Sequence, residues 1–246
     1  MDIDLGQTPA RGLTPIGRRV LAIGEILLCS SIPTQILIGG VLAKAGLSPL
    51  DAAGTLSLPF VLILSVADTL LLTVLMVWLT RVHGESVADL WLGNRPVKRE
   101  AWYGLILVPL VFLMVVVLLN VMRILAPWLH NVTINPLEQL AATPGQAAVF
   151  AIVAIVAGGI REELQRAFLL RRFEQHLGGA MVGLVVISVG FGLGHIVQGW
   201  DAVITTGMLG AFWAHVYLHR RSVVAPIVSH AGFNSVEILR VAILGA

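Results

Sequence analysis

Long apolar runs alternate with short polar segments along the whole chain. Seven runs contain mostly hydrophobic residues, and they lie at 20–41, 56–80, 102–125, 146–160, 181–197, 202–218 and 223–244. A helix needs about 20 apolar residues to cross a hydrocarbon layer about 30 Å thick, and these runs reach or approach that length. The pattern therefore predicts an all-α protein, a polytopic membrane helical bundle with seven or eight transmembrane helices.

The composition supports a membrane protein. The chain is 57% hydrophobic and 12% charged, whereas soluble domains carry roughly a quarter charged residues. A large soluble bundle would need polar outer faces, which these runs lack. The single cysteine, Cys29, excludes an intrachain disulfide and a cysteine metal cluster. The net charge of +2 gives no reason to expect a nucleic-acid partner, so membrane lipid is the partner that the composition predicts.

The positions of Lys and Arg between the runs predict the topology. Segments 1–19, 81–100 and 220–221 are basic, and they alternate with segments 126–145 and 199–201, which contain no Lys or Arg. Basic residues favour the cytoplasmic side of a membrane. We therefore expect a cytoplasmic N-terminal tail at 1–19 and a single integral membrane domain at 20–246. The membrane that we expect is the plasma (cell inner) membrane.

The stretch "AGGIREELQRAFLLRR" at 157–172 concentrates charge in an otherwise apolar chain, with two glutamates and four arginines at 161–172. The helical segment 162–176 predicts an eighth element, either a partial or re-entrant span or an amphipathic cytoplasmic extension. We expect the arginines to hold this segment at the cytoplasmic boundary. A glutamate would then point into a membrane-embedded site.

Ionisable side chains at membrane depth are costly and mark candidate functional sites. Glu25 and Asp68 lie singly in the first two runs, and we expect both to make helix–helix hydrogen bonds. Glu237 and Arg240 are three positions apart on one predicted helix face and should neutralise one another. These four residues therefore have structural explanations.

Three predicted helices of the C-terminal half carry a sharper set of candidate catalytic residues, namely Glu162, Glu163, His195, His230 and Asn234. A spacing of four places Phe191 with His195, and His230 with Asn234, on common helix faces. A buried polar network that only ties helices together is the structural alternative.

Two kinds of chemistry are open to this set. Glu162, His195 and His230 could bind zinc and leave a position open for water. Without a metal, a glutamate and a histidine could activate water while Asn234 and the other histidine polarise a carbonyl group.

The three motifs resemble the CAAX-protease and bacteriocin-processing (Abi) family, which includes the type II CAAX prenyl endopeptidases. The family pattern is a double glutamate with a following arginine, then Phe-x-x-x-His, then His-x-x-x-Asn, on successive membrane helices. Here the motifs read "EELQR" at 162–166, "FGLGH" at 191–195 and "HAGFN" at 230–234. The resemblance covers a motif-bearing core at about 157–235, and the N-terminal runs match only in being hydrophobic.

One motif departs from the family pattern. The family has three residues between the second glutamate and the arginine, whereas only Leu164 and Gln165 intervene here. With the glutamates as reference, Glu162 is the general base, and Glu163 is the alternative. Glu162 and Arg166 are four positions apart and could pair on one helix face.

The resemblance implies an intramembrane endopeptidase that hydrolyses a peptide bond near the cytoplasmic membrane face. Glu162 and His195 would activate water, while His230 and Asn234 would stabilise the oxyanion, or His230 would share a metal.

The same resemblance implies that three further residues orient the catalytic groups or bind the substrate, namely Glu163, Arg166 and Phe191. The resemblance is compatible with a zinc-dependent reaction and with a metal-independent one. It implies a peptide or protein as substrate, prenylated or not. The alternative function is a non-catalytic membrane immunity or partner-binding protein on the same scaffold.

Overall fold

The computed structural model describes residues 12–244, so residues 1–11 of the predicted tail lie outside the described residues. The helices are α1 (Pro15–Leu28), α2 (Ile32–Lys44), α3 (Leu58–Val82), α4 (Val87–Trp91), α5 (Val97–Leu125), α6 (Pro144–Val153), α7 (Glu162–His176), α8 (Ala180–Leu193), α9 (Trp200–Arg220) and α10 (Val224–Leu244). Within 12–244 no β-strand forms, and an isolated bridge joins Leu50 to Leu56. The predicted all-α helical bundle is confirmed.

The first predicted run, 20–41, is broken near its middle. α1 ends at Leu28 and α2 begins at Ile32, and between them Ser31 has a left-handed backbone with φ of 70°. Pro33 follows in the first turn of α2, where its missing N–H costs no helical hydrogen bond. The break therefore presents the polar Ser31 to the interior of the bundle, where it is buried.

The fourth predicted run and the predicted element at 162–176 form one continuous segment. α6 passes into a π-helical turn, Ala154–Arg161, which passes directly into α7. α7 contacts α1, α3, α4, α8 and α9. Because it is packed by neighbours on several sides, α7 is a central helix of the bundle and not an amphipathic extension with one exposed face.

Three segments of the described chain are long and apolar enough to cross a membrane, namely Pro15–Lys44, Leu58–Val82 and Val97–Leu125. α8 is a shorter apolar helix. α5 exposes many large apolar side chains, among them Leu105, Ile106, Leu110, Leu113, Val116, Val117, Val121, Ile124 and Leu125. An exposed apolar surface of this extent is typical of a helix that faces lipid. The total of seven or eight spans stays a prediction.

Two of the four arginines at 161–172 pack against the carboxylates of other helices. Arg161 lies 2.8 Å from Asp68, and Arg172 Nε lies 2.8 Å from Oε2 of Glu25, an ion pair without hydrogen-bond geometry. Both arginines are buried, as is Arg166, so these three side chains face other helices and not solvent, and their predicted place at the cytoplasmic boundary stays a prediction. Burial is possible because a buried carboxylate faces each guanidinium.

The helix–helix hydrogen bonds predicted for Glu25 and Asp68 are confirmed, as is the pairing of Glu237 with Arg240. His83 of the α3 C-cap lies 2.5 Å from Glu25 of α1. Arg240 donates two hydrogen bonds to Glu237, at 3.0 and 2.8 Å.

Glycines set the closest helix approaches near the motifs. A Cβ atom on Gly192 of α8 would lie 2.4 Å from the carbonyl oxygen of Val203 in α9. A Cβ atom on Gly104 of α5 would lie 2.7 Å from the carbonyl oxygen of Ala225 in α10. Backbones at these contacts are too close for any side chain, so α8 and α10 are held tightly against α9 and α5.

Candidate functional site

The π-helical turn brings α10 against the start of α7. A Cβ atom on Gly158 would lie 2.6 Å from Asn234 Nδ2, and one on Gly159 would lie 2.7 Å from the Cβ of Ala231. A π-helical turn widens the backbone, and such turns are frequent at functional sites. The glycine pair therefore allows the third motif, on α10, to reach the first motif.

Glu163 is fully engaged by protein partners. Arg166 donates to both of its oxygens, with Nε at 3.0 Å from Oε2 and Nη2 at 3.1 Å from Oε1. His230 Nδ1 lies 2.9 Å from Oε1 of the same carboxylate. All three residues are buried. The predicted alternative in which Arg166 pairs with Glu162 was wrong, because a spacing of three directs the guanidinium to Glu163.

Glu162 has a more open environment than Glu163. Its side chain keeps 18% of its surface exposed, against 1% for Glu163. Arg161 Nη2 donates to Oε1 at 3.2 Å, while Oε2 lies 3.9 Å from Nε2 of His230. One carboxylate oxygen is therefore held, and the other lies beyond hydrogen-bond distance of the histidine.

His230 is fixed by two aromatic side chains and by a hydrogen bond at one ring nitrogen. Its ring stacks on Trp213 of α9, with centroids 3.8 Å apart and planes at 15°. Phe191 of α8 meets it edge-on, at 6.2 Å between centroids. Because Nδ1 donates to Glu163, Nε2 is the nitrogen that faces Glu162. Trp213 is itself held by a hydrogen bond from Nε1 to Ser229, at 3.2 Å.

His195 lies just beyond the end of α8 and not on it, so the shared helix face predicted with Phe191 was wrong. α8 ends at Leu193, and a 3-10 turn, Ile196–Gln198, follows His195. The two rings still meet edge to face, with centroids 4.8 Å apart. Nδ1 of His195 donates to the carbonyl oxygen of Phe191 at 2.8 Å, which leaves Nε2 as the nitrogen without a protein partner in the described chain.

The motif residues are not all in direct contact. Among the described residues, no nitrogen of His195 comes within ion-pair distance of Glu162, whereas His230 reaches both glutamates. Asn234 Nδ2 donates to the carbonyl oxygen of Ala154 at 3.3 Å, which ties its amide to the π-helical turn. His195 is therefore not a direct partner of Glu162 in this arrangement.

Arg166 and Phe191 form a supporting layer beneath Glu163. The guanidinium carbon of Arg166 lies 4.7 Å from the ring centroid of Phe191, within cation–π distance. Gly210 of α9 makes space for both, since a Cβ there would lie 2.9 Å from Phe191 and 3.4 Å from Arg166. The layer connects the first and second motifs.

The residues proposed as zinc ligands do not form a ligand group. Within the described part of the chain, no three His, Cys, Asp or Glu side chains are placed to hold one ion. Glu163 and His230 Nδ1 are already paired with protein groups. The set Glu162, His195 and His230 therefore does not fit zinc in this arrangement.

An apolar groove runs alongside the first motif. Its volume is about 660 Å³, and its lining is Arg81, Glu85, Ser86, Val87, Ala88, Trp91, Leu92, Leu164, Val223, Val224 and Ile227. Trp91 donates its indole N–H to the carbonyl oxygen of Leu164 at 3.2 Å. The groove thus reaches the residue that directly follows Glu163, between α4, α7 and α10.

Comparison with known families decides the identity of this segment. A family model described as type II CAAX prenyl endopeptidase Rce1-like matches residues 144–236. This segment is therefore similar to the Rce1-like family. The match extends from the start of α6 into α10, and the resemblance predicted from the three motifs is confirmed. No curated protein and no solved structure matches the chain.

The match supports a likeness of residues 144–236 to the CAAX intramembrane proteases. Together with the apolar helices, the match supports a membrane protein. α1 to α5 lie outside the matched residues, although they supply part of the bundle around the motifs.

The sequence reasoning missed two residues that contact the motifs. Arg161 was expected at the membrane boundary, yet it donates to Glu162. Trp213 was overlooked because its contact with His230 joins two different helices, and spacing along one helix cannot reveal it. A partial signal for Arg161 was available in the sequence. An arginine in an apolar segment needs an acidic partner, and Asp68 is a carboxylate within another apolar run.

Proposed function

We propose that the chain is an intramembrane endopeptidase of the CAAX prenyl endopeptidase type, with Glu162 as its general base. The observation that carries this proposal is that the side-chain oxygens of the two adjacent glutamates differ in their hydrogen-bond partners. Glu163 has both oxygens engaged by Arg166 and His230, whereas Glu162 has one oxygen beyond hydrogen-bond distance of any side chain in the described chain. A base must reach a water molecule, and Glu162 is the glutamate with an oxygen to do so.

In the proposed reaction, Oε2 of Glu162 takes a proton from water, and the resulting hydroxide attacks the carbonyl carbon of the scissile peptide bond. In this proposal, Nε2 of His195 accepts a hydrogen bond from the same water, since its Nδ1 already donates to Phe191. The attack forms a C–O bond and a tetrahedral oxyanion. Collapse of this intermediate breaks the C–N bond, and the proton held by Glu162 passes to the leaving amine.

The oxyanion would be stabilised by donors from α10. His230 would donate from Nε2, which lies beside Glu162, when both of its ring nitrogens carry a proton, and Asn234 has a second amide hydrogen besides the one given to Ala154. Donors held in place before the reaction stabilise developing charge without reorganisation. Trp213 and Glu163 hold His230 from its face and from Nδ1, which supports this role.

Glu163, Arg166 and Phe191 serve in this proposal as orienting residues. Arg166 neutralises Glu163 and packs on Phe191, so that Glu163 can fix His230. The mechanism uses protein groups alone, because the candidate ligands do not form a metal-binding group.

The proposed substrate is a membrane-associated peptide or protein whose apolar part, prenylated or not, lies in the groove beside Leu164. The groove has the size of a small-ligand site and is lined mainly by apolar side chains. We propose further that the chain lies in the plasma (cell inner) membrane with its N-terminus in the cytoplasm, and that cleavage occurs near the cytoplasmic face. Arg81 and Glu85 at the groove support that side, since segment 81–100 is basic.

The test is cleavage of a quenched fluorescent peptide library, including a farnesylated CAAX peptide, by purified protein in detergent. Wild-type protein should cleave at least one peptide, and Glu162→Gln should lower turnover by about 100-fold or more, the contribution typical of a general base. His195→Ala should give a similar loss. Absence of cleavage by wild-type protein across the library would contradict the proposal and favour a non-catalytic immunity or partner-binding role.

A further inference from the structure

Arg161 connects the proposed base to a part of the chain outside the Rce1-like match. It is buried, and its guanidinium branches in two directions. Nη2 donates to Oε1 of Glu162 at 3.2 Å, and Nη1 donates to Oδ2 of Asp68 in α3 at 2.8 Å. Nε completes the set with a bond of 3.3 Å to the carbonyl oxygen of Ala157. One planar group therefore bridges two carboxylates on different helices.

Asp68 is held by α2 as well as by Arg161. Thr34 donates its hydroxyl hydrogen to Oδ1 of Asp68, and Gln35 Nε2 donates to Oδ2 at 3.3 Å. Ser31, at the break between α1 and α2, accepts from Arg161 Nη1 at 2.6 Å. The guanidinium is thus fixed by an array of polar groups from the N-terminal helices.

A further contact locks this array to α7. Gln165 Nε2 donates at 2.6 Å to the carbonyl oxygen of Cys29, the C-cap residue of α1. The break between α1 and α2 therefore faces one turn of α7 that contains the proposed base.

We propose that Asp68 and Arg161 are positioning residues that hold one oxygen of Glu162, so that the other oxygen is the one presented to water. This inference rests on the proposed role of Glu162 as the base. A bridging guanidinium fits the task because its donors have fixed directions, and the same group can serve Asp68 and Glu162 at once. Lysine has a single ammonium group and cannot keep this geometry at both carboxylates.

The inference assigns a catalytic contribution to helices that the family match does not cover. Asp68, Thr34 and Ser31 all lie before residue 144. A purely structural role is the competing explanation, since buried ion pairs also tie helices together. The two explanations differ in what happens when both charges are removed together.

The experiment compares Arg161→Gln, Asp68→Asn and the double variant Asp68→Asn/Arg161→Gln for melting temperature, kcat and KM. Arg161→Gln leaves Asp68 buried without its cation, and Asp68→Asn leaves Arg161 only its longer pair with Glu162, so each single variant should melt earlier than wild type. The double variant should regain part of this stability, because the buried charge of Asp68 is removed together with that of Arg161, although the more exposed Glu162 still lacks its counter-charge. Its kcat should stay about 10- to 100-fold low with KM changed less than about threefold, because Glu162 remains unpositioned.

The matched control is the ion pair between the buried Glu100 of α5 and the partly exposed Arg220 of α9. Arg220 Nε donates to Glu100 Oε2 at 3.0 Å, and Nη2 pairs with Oε1. Glu100→Gln should lower the melting temperature without lowering kcat. Arg161→Lys should keep more stability than Arg161→Gln yet restore little of the kcat. Recovery of kcat in step with melting temperature in the double variant would overturn the inference.

A second readout does not depend on activity. Dicyclohexylcarbodiimide modifies protonated carboxyl groups in apolar surroundings, and mass spectrometry of proteolytic fragments would locate the modified glutamate. Glu162 should be modified at least about threefold faster in Arg161→Gln and in the double variant than in wild type, because its counter-charge is lost. Equal rates in all variants would overturn the inference. Failure of wild-type protein to cleave any peptide would instead defeat the proposed function, and the labelling rates would still decide whether Arg161 holds Glu162.

Discussion

His230 of α10 and Glu163 of α7 are joined by a hydrogen bond of 2.9 Å between Nδ1 and Oε1. The bond crosses the interface of two helices that are far apart in sequence, and it fixes which imidazole nitrogen remains for another partner. It also removes Glu163 from the groups that can take a proton from water. The two adjacent glutamates should therefore respond differently to the same substitution.

Glu162→Gln should remove turnover with little effect on stability, whereas Glu163→Gln should mainly reduce stability. Glutamine at 163 leaves Arg166 buried without its counter-charge, and loss of one partner of a buried pair typically costs about 3–5 kcal/mol. Glutamine at 162 can still accept from Arg161, so the change should be about 1 kcal/mol or less. Thermal unfolding in detergent and initial cleavage rates measure the two effects.

The double variant Glu163→Gln/Arg166→Met is the control for the buried charge. It should recover part of the stability lost in Glu163→Gln, since neither charge remains. A Glu163→Gln protein that melts like wild type and has no activity would place the base at Glu163 and contradict the assignment.

Substitution of alanine for each of the two glycines in the π-helical turn, Gly158 and Gly159, should have different effects. Gly159→Ala places a methyl group 2.7 Å from Ala231 Cβ and 3.1 Å from its Cα, so the helices must separate, at a cost of about 1–3 kcal/mol. Gly158→Ala meets only the Asn234 amide, which can rotate away. That variant should lose cleavage activity more than stability.

Gly145→Ala is the matched control for the glycine pair. Gly145 lies in the first turn of α6, and a Cβ atom there would have nothing within 4 Å. Alanine there should leave activity unchanged and stability unchanged or raised by up to about 1 kcal/mol. Equal effects at 145, 158 and 159 would contradict the close contact with α10.

Chelator should leave cleavage unchanged. The oxygens of Glu163 and Nδ1 of His230 are engaged by protein groups, so Oε2 of Glu162 and Nε2 of His230, 3.9 Å apart, are the remaining pair of donors between these residues. Structural and catalytic zinc sites use at least three protein ligands. The measurement is the cleavage rate before and after dialysis against a chelator, with re-addition of zinc. A loss that zinc restores would require His195 to move towards Glu162.

The loop between α2 and α3 should lose local stability in acid, because protonation of Asp51 weakens its hydrogen bonds. Its carboxylate accepts hydrogen bonds from the Thr55 hydroxyl at 2.7 Å and from the backbone N–H groups of Thr55 and Ala53 at 3.0 and 2.9 Å. These bonds, led by the Thr55 hydroxyl, lower the pKa of Asp51 from its ordinary value of 3.8. A lowered pKa in the folded state means that the stabilisation is complete above pH 3.8 and is lost as the pH falls through the folded-state pKa.

Hydrogen exchange of the Ala53 and Thr55 amides, followed across this acid range, measures the effect. Protection should fall with acid in the wild-type protein. In Asp51→Asn, protection should be lower at neutral pH and should lack this acid-dependent step. An unchanged acid dependence in Asp51→Asn would contradict the assignment.

The sequence predicted the helical class, the approximate helix positions and the pairing of Glu237 with Arg240, because these depend on local pattern and spacing. It failed where a long-range contact decides the outcome. The partner of Arg166 depends on where His230 arrives from α10, and the burial of Arg161 depends on Asp68 from α3. The end of α8 before His195 was also missed, since the apolar run continues to Val197 although the helix does not.

The π-helical turn Ala154–Arg161 has a consequence for the rotational phase of the segment 144–176. One residue in an α-helix corresponds to about 100° of rotation, so the turn offsets the direction of α7 side chains from those of α6. Deleting one residue within the turn would let the segment relax to a regular α-helix. α6 would then keep its packing while Glu162 and Glu163 rotate towards different neighbours. The number of residues in this turn therefore determines which carboxylate faces α10.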